Sequence, residues 1–194
     1  MAVAANPASK GYGVMVVMND EIHSAKDVRK MITTPVQTFQ SPQEGLIGTA
    51  IFGQVEFLHK PNGKHTLQSE FSVDGVKSLP RVDIVYACAD MSPDLIDIMV
   101  KAGAKGIVIA GVGDGNMTTA TLDAAKKAAS QGIWVVRASR IPIGKVLIRG
   151  EVNDKEYGTI CSDELNPQKA RVLLMLAMLK KRSWEDMQRL FVEY

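Results

Sequence analysis

The stretch "VDIVYACADMSPDLIDIMVKAGAKGIVIAGVGDGNMTTATLDAAKKAASQGIWVVRAS", residues 82–139, decides the fold. Short apolar runs rich in β-branched residues, at 82–89, 106–112 and 132–139, alternate with amphipathic segments at 92–103 and 116–131. That alternation predicts βαβ units and a mostly parallel sheet, whose strands are apolar on both faces because helices cover both. Helix punctuation agrees: Ser92 is placed to cap the first helix with Pro93 at its first position, and Gly103 to end it. Leu95, Ile96, Ile98, Met99 and Ala102 are expected to form its apolar stripe.

Working outward, "NPQKARVLLMLAMLKKR" (166–182) predicts a helix opened by Asn-Pro, with basic residues at its end where the helix dipole favours them. "SWEDMQRLFVEY" (183–194) begins with a capping-box pattern. Toward the amino end the chain opens with the end of a helix. "YGVMVVMN" (12–19) then reads as a buried, parallel-type strand with no partner of its own in the neighbouring sequence, and "IGTAIFGQVEFLH" (47–59) as a β-hairpin folded near Gly53. The polar, Gly/Pro-punctuated run 62–80 reads as a linker.

Composition narrows the function classes. A net charge of +2 with both signs interspersed leaves no electrostatic footprint for nucleic acid or an anionic membrane. No apolar run reaches the roughly 20 residues a membrane helix needs, and the start "MAVAANPASKGYG" lacks the pattern of a signal peptide. Cys88 and Cys161 fall in strand-like segments and are expected to be buried core thiols. His23, His59 and His65 have no metal-binding spacing, and no Ser/His/Asp constellation is present. No cofactor or metal is implied.

The polar residues of interest lie in loops. Gly111, Gly113 and Gly115 follow a strand, yet Asn116 stands where a dinucleotide fingerprint needs its last glycine, no Lys-Ser/Thr follows, and the next strand ends in "VVRASR" with no carboxylate. A turn at the carboxyl end of a parallel strand remains, where α/β sheets bind ligands, with Asp114 and Asn116 as its polar side chains. Spacing alone is equally compatible with a purely structural turn. Lys30, among hydroxyl residues in "KDVRKMITTP", reads as a solvated charge unless burial lowers its pKa. Glu151, in "IRGEVNDKEYG", reads by itself as an ordinary loop carboxylate.

The blocks "VVMND", "DVRK", "KHT", "GVGDGN", "VVRASR", "EVNDKEYG" and "LNPQKARVLL", in that order and spacing, resemble the type II bacterial L-asparaginases and glutaminase-asparaginases over the whole chain. The resemblance implies an asparaginase-like α/β fold: a complete C-terminal Rossmann/flavodoxin-like parallel-sheet domain (81–194), preceded by the last part of the N-terminal α/β domain with its β-hairpin (1–70) and a linker (71–80). It implies hydrolysis of L-asparagine, with L-glutamine as an alternative amide, by a homo-oligomer that is a tetramer in the family, with neither nucleic acid nor membrane as partner.

Family members carry nucleophilic and accessory threonines in "TGGTI" and "HGTDT"; this sequence contains neither a Gly-Gly nor a Thr-Asp dipeptide. The expectation is therefore a truncated chain, inactive alone. By resemblance Lys30 assists deprotonation of the nucleophile, and Asn116 and Glu151 reach a neighbouring subunit's site near the substrate's α-amino group. Asp114 stands where asparagine is common in the family, and Thr118 where some members have tyrosine. The family implies a periplasmic location, and the chain as written a cytoplasmic one. Two alternatives stay open, a non-catalytic oligomerisation module and a Rossmann-like nucleotide-binding domain.

Overall fold

A two-residue turn at Asn19-Asp20, both with positive φ (50° and 62°), sets the architecture of the first third of the chain. Such a turn matches the natural twist of a two-stranded ribbon and folds the flanking strands back on each other. After a short helix α1 (Ala2–Ala5), strands β1 (Met15–Met18) and β2 (Glu21–Ser24) therefore pair antiparallel, Met18 opposite Glu21. The expectation of a lone parallel-type strand at 12–19 is corrected: β1 is an edge strand of an antiparallel sheet, and Val17 and Met18 are exposed rather than buried.

The computed structural model describes residues 1–194, which divide into two compact units, 1–69 with Tyr194 and 70–193. In the first, strands β3 (Arg29–Lys30) and β4 (Phe39–Gln40) make a small antiparallel ladder of their own. Strands β5 (Gly48–Ile51) and β6 (Gln54–Phe57) form the expected hairpin, turning through Phe52 and Gly53 at φ 49° and 81°. They complete a sheet of order β1-β2-β5-β6. Its core is small: Val3, Ile22 and Ile47, flanked by Tyr12, Met15, Ala50, Val55 and Phe57.

The second unit is the predicted α/β domain. Strand β7 (Val82–Tyr86), helix α2 (Asp94–Lys101), β8 (Gly106–Gly111), helix α3 (Thr119–Ser130), β9 (Trp134–Ser139), helix α4 (Asp154–Tyr157) and β10 (Thr159–Cys161) follow in chain order. All pairings in the sheet β10-β9-β8-β7 are parallel. Helices α5 (Pro167–Ala177) and α6 (Trp184–Glu193) close the unit.

Strand β8 is buried at every position, as a strand covered on both faces must be. The two-residue side-chain period divides it. Ile107 and Ile109 join the cluster formed with Ile96, Met99, Ala125 and Ala128 of α2 and α3. Gly106 faces α5 instead, close enough that a Cβ there would meet Leu174 Cδ2 at 2.7 Å.

Three local expectations change. Only Ile96, Met99 and Val100 of α2 turn to the core, while Leu95, Ile98 and Ala102 are exposed. Helix α5 ends before Lys180, Lys181 and Arg182, which occupy the following turn. Its Asn166 cap is as expected, accepting from Lys169 N at 2.9 Å. Cys88, expected in the core, is exposed because β7 ends two residues before it; Cys161 is buried, and burial pushes its thiol up to about 11.

Candidate active site

The glycine-rich segment after β8 is a closed knot of backbone. Val112 N–H donates to Asn116 O at 2.9 Å and Asn116 N–H to Val112 O at 2.8 Å, so both amides are consumed within the loop. Gly111 allows the closure, since a Cβ there would meet Gly115 O at 2.6 Å and Asn116 O at 2.7 Å. The next helix begins only at Thr119, and Thr118 Oγ1 accepts from Thr121 N at 3.3 Å. A phosphate cradle needs free amides converging at a helix start. Here the amides of Val112 and Asn116 bond within the loop and Thr118 caps the helix, and the turn aims the Asn116 side chain.

That side chain meets Glu151. Asn116 Nδ2 donates to Glu151 Oε2 at 2.5 Å, although the residues are far apart in sequence and lie on different loops. Both loops leave the carboxyl ends of parallel strands, β8 and β9, the edge at which open α/β sheets hold ligands. Beside the pair is an open groove lined by Arg149, Gly150, Glu151, Asn153, Lys155 and Glu156. The carboxylate keeps a further oxygen for an ammonium group, and the amide oxygen of Asn116 can accept another hydrogen bond.

What holds the two loops in register is Arg137, a strand residue with no exposed surface. Its Nε and Nη2 make a two-pronged pair with Asp154 at 2.7 and 2.8 Å, and Thr159 Oγ1 also donates to Asp154 at 2.7 Å. Its remaining donors reach one carbonyl in each loop: Asp114 O at 2.7 Å and Leu147 O at 3.2 Å. The Asp114 carboxylate adds a second link, accepting from Leu147 N at 2.6 Å and Glu151 N at 3.3 Å. Hydrogen bonds and the ion pair to Asp154 offset burial, so the guanidinium stays charged.

In the sequence Arg137 stands in "VVRASR", where a dinucleotide-binding strand would carry a carboxylate and where the family resemblance has one of its blocks, and neither reading gives it a partner. A lone cation inside an apolar strand was the available signal that a buried carboxylate waits elsewhere, because an unpaired buried charge is prohibitively costly.

Lys30 lies in the first unit, exposed, on the short ladder β3–β4. The adjoining loop 41–45 is tied to the buried Asp27, which accepts from Gln43 N and Glu44 N. Within this chain the Lys30 side chain is exposed. The structure thus brings together Asn116 and Glu151 of the three expected site residues, and shows Lys30 in its own unit.

Fold and edge geometry define a class: an α/β protein whose parallel sheet carries a hydrogen-bonded amide–carboxylate pair at its carboxyl edge. A family model described as "Glutaminase/Asparaginase C-terminal domain" matches residues 81–191, and one described as "Asparaginase, N-terminal" matches residues 1–63. The chain belongs to the glutaminase/asparaginase family. It is 43% identical to a protein of Haemophilus influenzae named "Probable L-asparaginase periplasmic", with all of this chain and 56% of that protein aligned. It is 42% identical to "L-asparaginase 2" of Escherichia coli, covering all of this chain and 56% of that one. With a "Glutaminase-asparaginase" of Pseudomonas fluorescens it shares 37% identity over all of this chain and 54% of that one. The chain spans about half the length of the curated relatives it matches.

Proposed function

We propose that this chain supplies the amino-acid-binding half of an L-asparaginase site, taking part in hydrolysis of L-asparagine, or of L-glutamine, to the acid and ammonia. The observation that carries the reading is the Asn116–Glu151 hydrogen bond at the carboxyl edge of the parallel sheet. Glu151 receives the substrate's α-ammonium group through a charge-assisted hydrogen bond, and Asn116 holds that carboxylate in place. The reaction forms an acyl-enzyme on a threonine hydroxyl and releases ammonia; water then attacks the acyl carbon and frees the acid.

Lys30 takes the proton from that hydroxyl, directly or through a neighbouring carboxylate, and the departing amide nitrogen receives a proton as it leaves as ammonia. The threonine belongs to a Gly-Gly-Thr or Thr-Asp context that these 194 residues do not contain, so a second polypeptide or further sequence provides it. The site lies between subunits of a homo-oligomer, a tetramer by family resemblance, and a periplasmic location extends the printed name of the Haemophilus influenzae relative to this chain.

Ammonia release from L-asparagine by the purified chain tests this reading. The expected rate is background. Turnover by the chain alone that vanishes in Lys30→Ala would overturn the division of the site between polypeptides.

A second reading, an assembly module without catalysis, rests on the exposed apolar residues of the same two loops: Val112, Ile141, Ile143, Leu147 and Ile148. Sedimentation with and without a full-length family subunit separates the two, since a monomer in both cases argues against assembly.

A further inference from the structure

We propose that Arg137, together with the carboxylate of Asp114, is the positioning device of the site: a clasp that fixes the loops after β8 and β9 as one rigid bracket and so presets the Asn116–Glu151 pair before any ligand arrives. The proposal rests on the reading of that pair as substrate-facing and adds a role for residues that touch no substrate.

The geometry is cooperative. Arg137 is fully buried and spends its donors on Asp154 and on the carbonyls of Asp114 and Leu147, one from each loop. Asp114 returns the link from the other side, its two oxygens taking the amides of Leu147 and Glu151. The backbone of Asp114, held by Arg137, lies two residues before Asn116, and its side-chain carboxylate accepts the amide of Glu151 itself. Displacement of either loop would therefore move one member of the pair against the other.

The neighbouring glycines are required by this arrangement. A Cβ on Gly115 would press on Arg137 Nη1 at 3.3 Å and Val146 Cγ1 at 3.1 Å, and one on Gly150 would occupy the place of Asp114 Oδ2. A carboxylate at 114 differs in kind from an amide, because both of its oxygens accept whereas an asparagine offers a single acceptor oxygen. Leu147 N–H is met by Oδ1 and Glu151 N–H by Oδ2, so an asparagine in the same rotamer would turn its own NH2 group toward one of the two amides.

The test uses the full chain, labelled with 15N, and follows three signals: backbone amide exchange at Leu147 and Glu151, the side-chain amide resonances of Asn116, and the thermal midpoint. In Asp114→Asn and in Gly150→Ala, exchange at one or both backbone amides is expected to rise on the order of tenfold, the size of one lost charge-assisted hydrogen bond. The Asn116 side-chain signals are expected to move toward those of Glu151→Ala. Arg137→Lys retains the charge but loses the fork, and is expected to shift the Asn116 signals further.

Unchanged Asn116 signals in Asp114→Asn and Gly150→Ala, with only the thermal midpoint lowered, would overturn the clasp and leave a merely structural ion pair. Its failure is separable from failure of the functional reading. If the Asn116 signals respond to the clasp variants, yet in the assembled enzyme Glu151→Ala leaves turnover intact, then the clasp stands and the substrate-facing role falls.

Discussion

The two units reach order by different means. In residues 70–193 a parallel sheet is enclosed by helices, and Ile107, Val108, Ile109, Val135, Val136 and Ile160 have no exposed surface at all. In residues 1–69 an antiparallel sheet rests on Val3, Ile22 and Ile47, while Val14, Val17, Ile51 and Phe52 face solvent. A core of three buried residues is small for a unit of that length. Most of the unit's definition comes instead from turn chemistry and from buried polar anchors such as Asp27 and His23. The contrast teaches that the parallel-sheet unit holds the Asn116–Glu151 pair within its own fold, whereas the first unit presents Lys30 on a short exposed ladder.

Both tryptophans, Trp134 and Trp184, belong to the second unit, so their fluorescence reports on it selectively. The largest effect expected is from Arg137→Met, which strands the buried Asp154 carboxylate and should cost about 3–5 kcal/mol. Denaturant titration followed by tryptophan emission measures it. Amide exchange in β5 and β6 is expected to stay unchanged, and an equal loss of protection there would break the comparison.

A smaller effect is expected in the other direction. Gly53 occupies the left-handed region at φ 81° with open space around it, so Gly53→Ala adds only backbone strain, about 1–2 kcal/mol. Exchange in β5 and β6 should accelerate while the tryptophan-monitored midpoint holds.

Acidification should give the smallest differences and the sharpest ordering. Burial lowers the pKa of His23 below its ordinary 6.5, against the opposing pull of Glu21 and Asp27. The folded state therefore resists protonation, and the contribution of His23 to the stability of the first unit is complete above about pH 6.5 and lost as pH falls below it. In the second unit, hydrogen bonds from Arg189 hold Glu70 below its ordinary 4.5, with Arg182 assisting. Its contribution is present above that value and lost only as pH falls further. Amide exchange between pH 7 and pH 5 should show the first unit loosening before tryptophan emission changes; the reverse order would contradict the assignment of His23 as its acid-sensitive anchor.

The parallel sheet was legible in the sequence because its signal is local: a buried strand and an amphipathic helix each announce themselves by period. The β5–β6 hairpin was legible through Gly53. Strands β1 and β2 were not paired from sequence, although Asn19-Asp20 carried the turn signal, because the turn lacks the glycine that marks most such hairpins. Cys88 and the outward side of α2 were misjudged for a related reason, as apolar periodicity does not say where a strand ends or which apolar residues lie beyond the core.

At the site, Asn116 and Glu151 were named by resemblance to a known family, and their contact is a three-dimensional fact that spacing could not supply. The clasp was invisible for the same reason. Arg137, Asp114 and Asp154 sit on three segments that meet only once the sheet has formed.

The most direct measurement is complementation. The chain is assembled with a full-length family subunit whose own counterpart of Glu151 has been replaced, assembly is verified by sedimentation, and ammonia release from L-asparagine is followed. Turnover restored by the chain and abolished by Glu151→Gln within it is the predicted result. A verified hetero-assembly that stays inactive, or whose restored turnover ignores Glu151→Gln, would contradict the account.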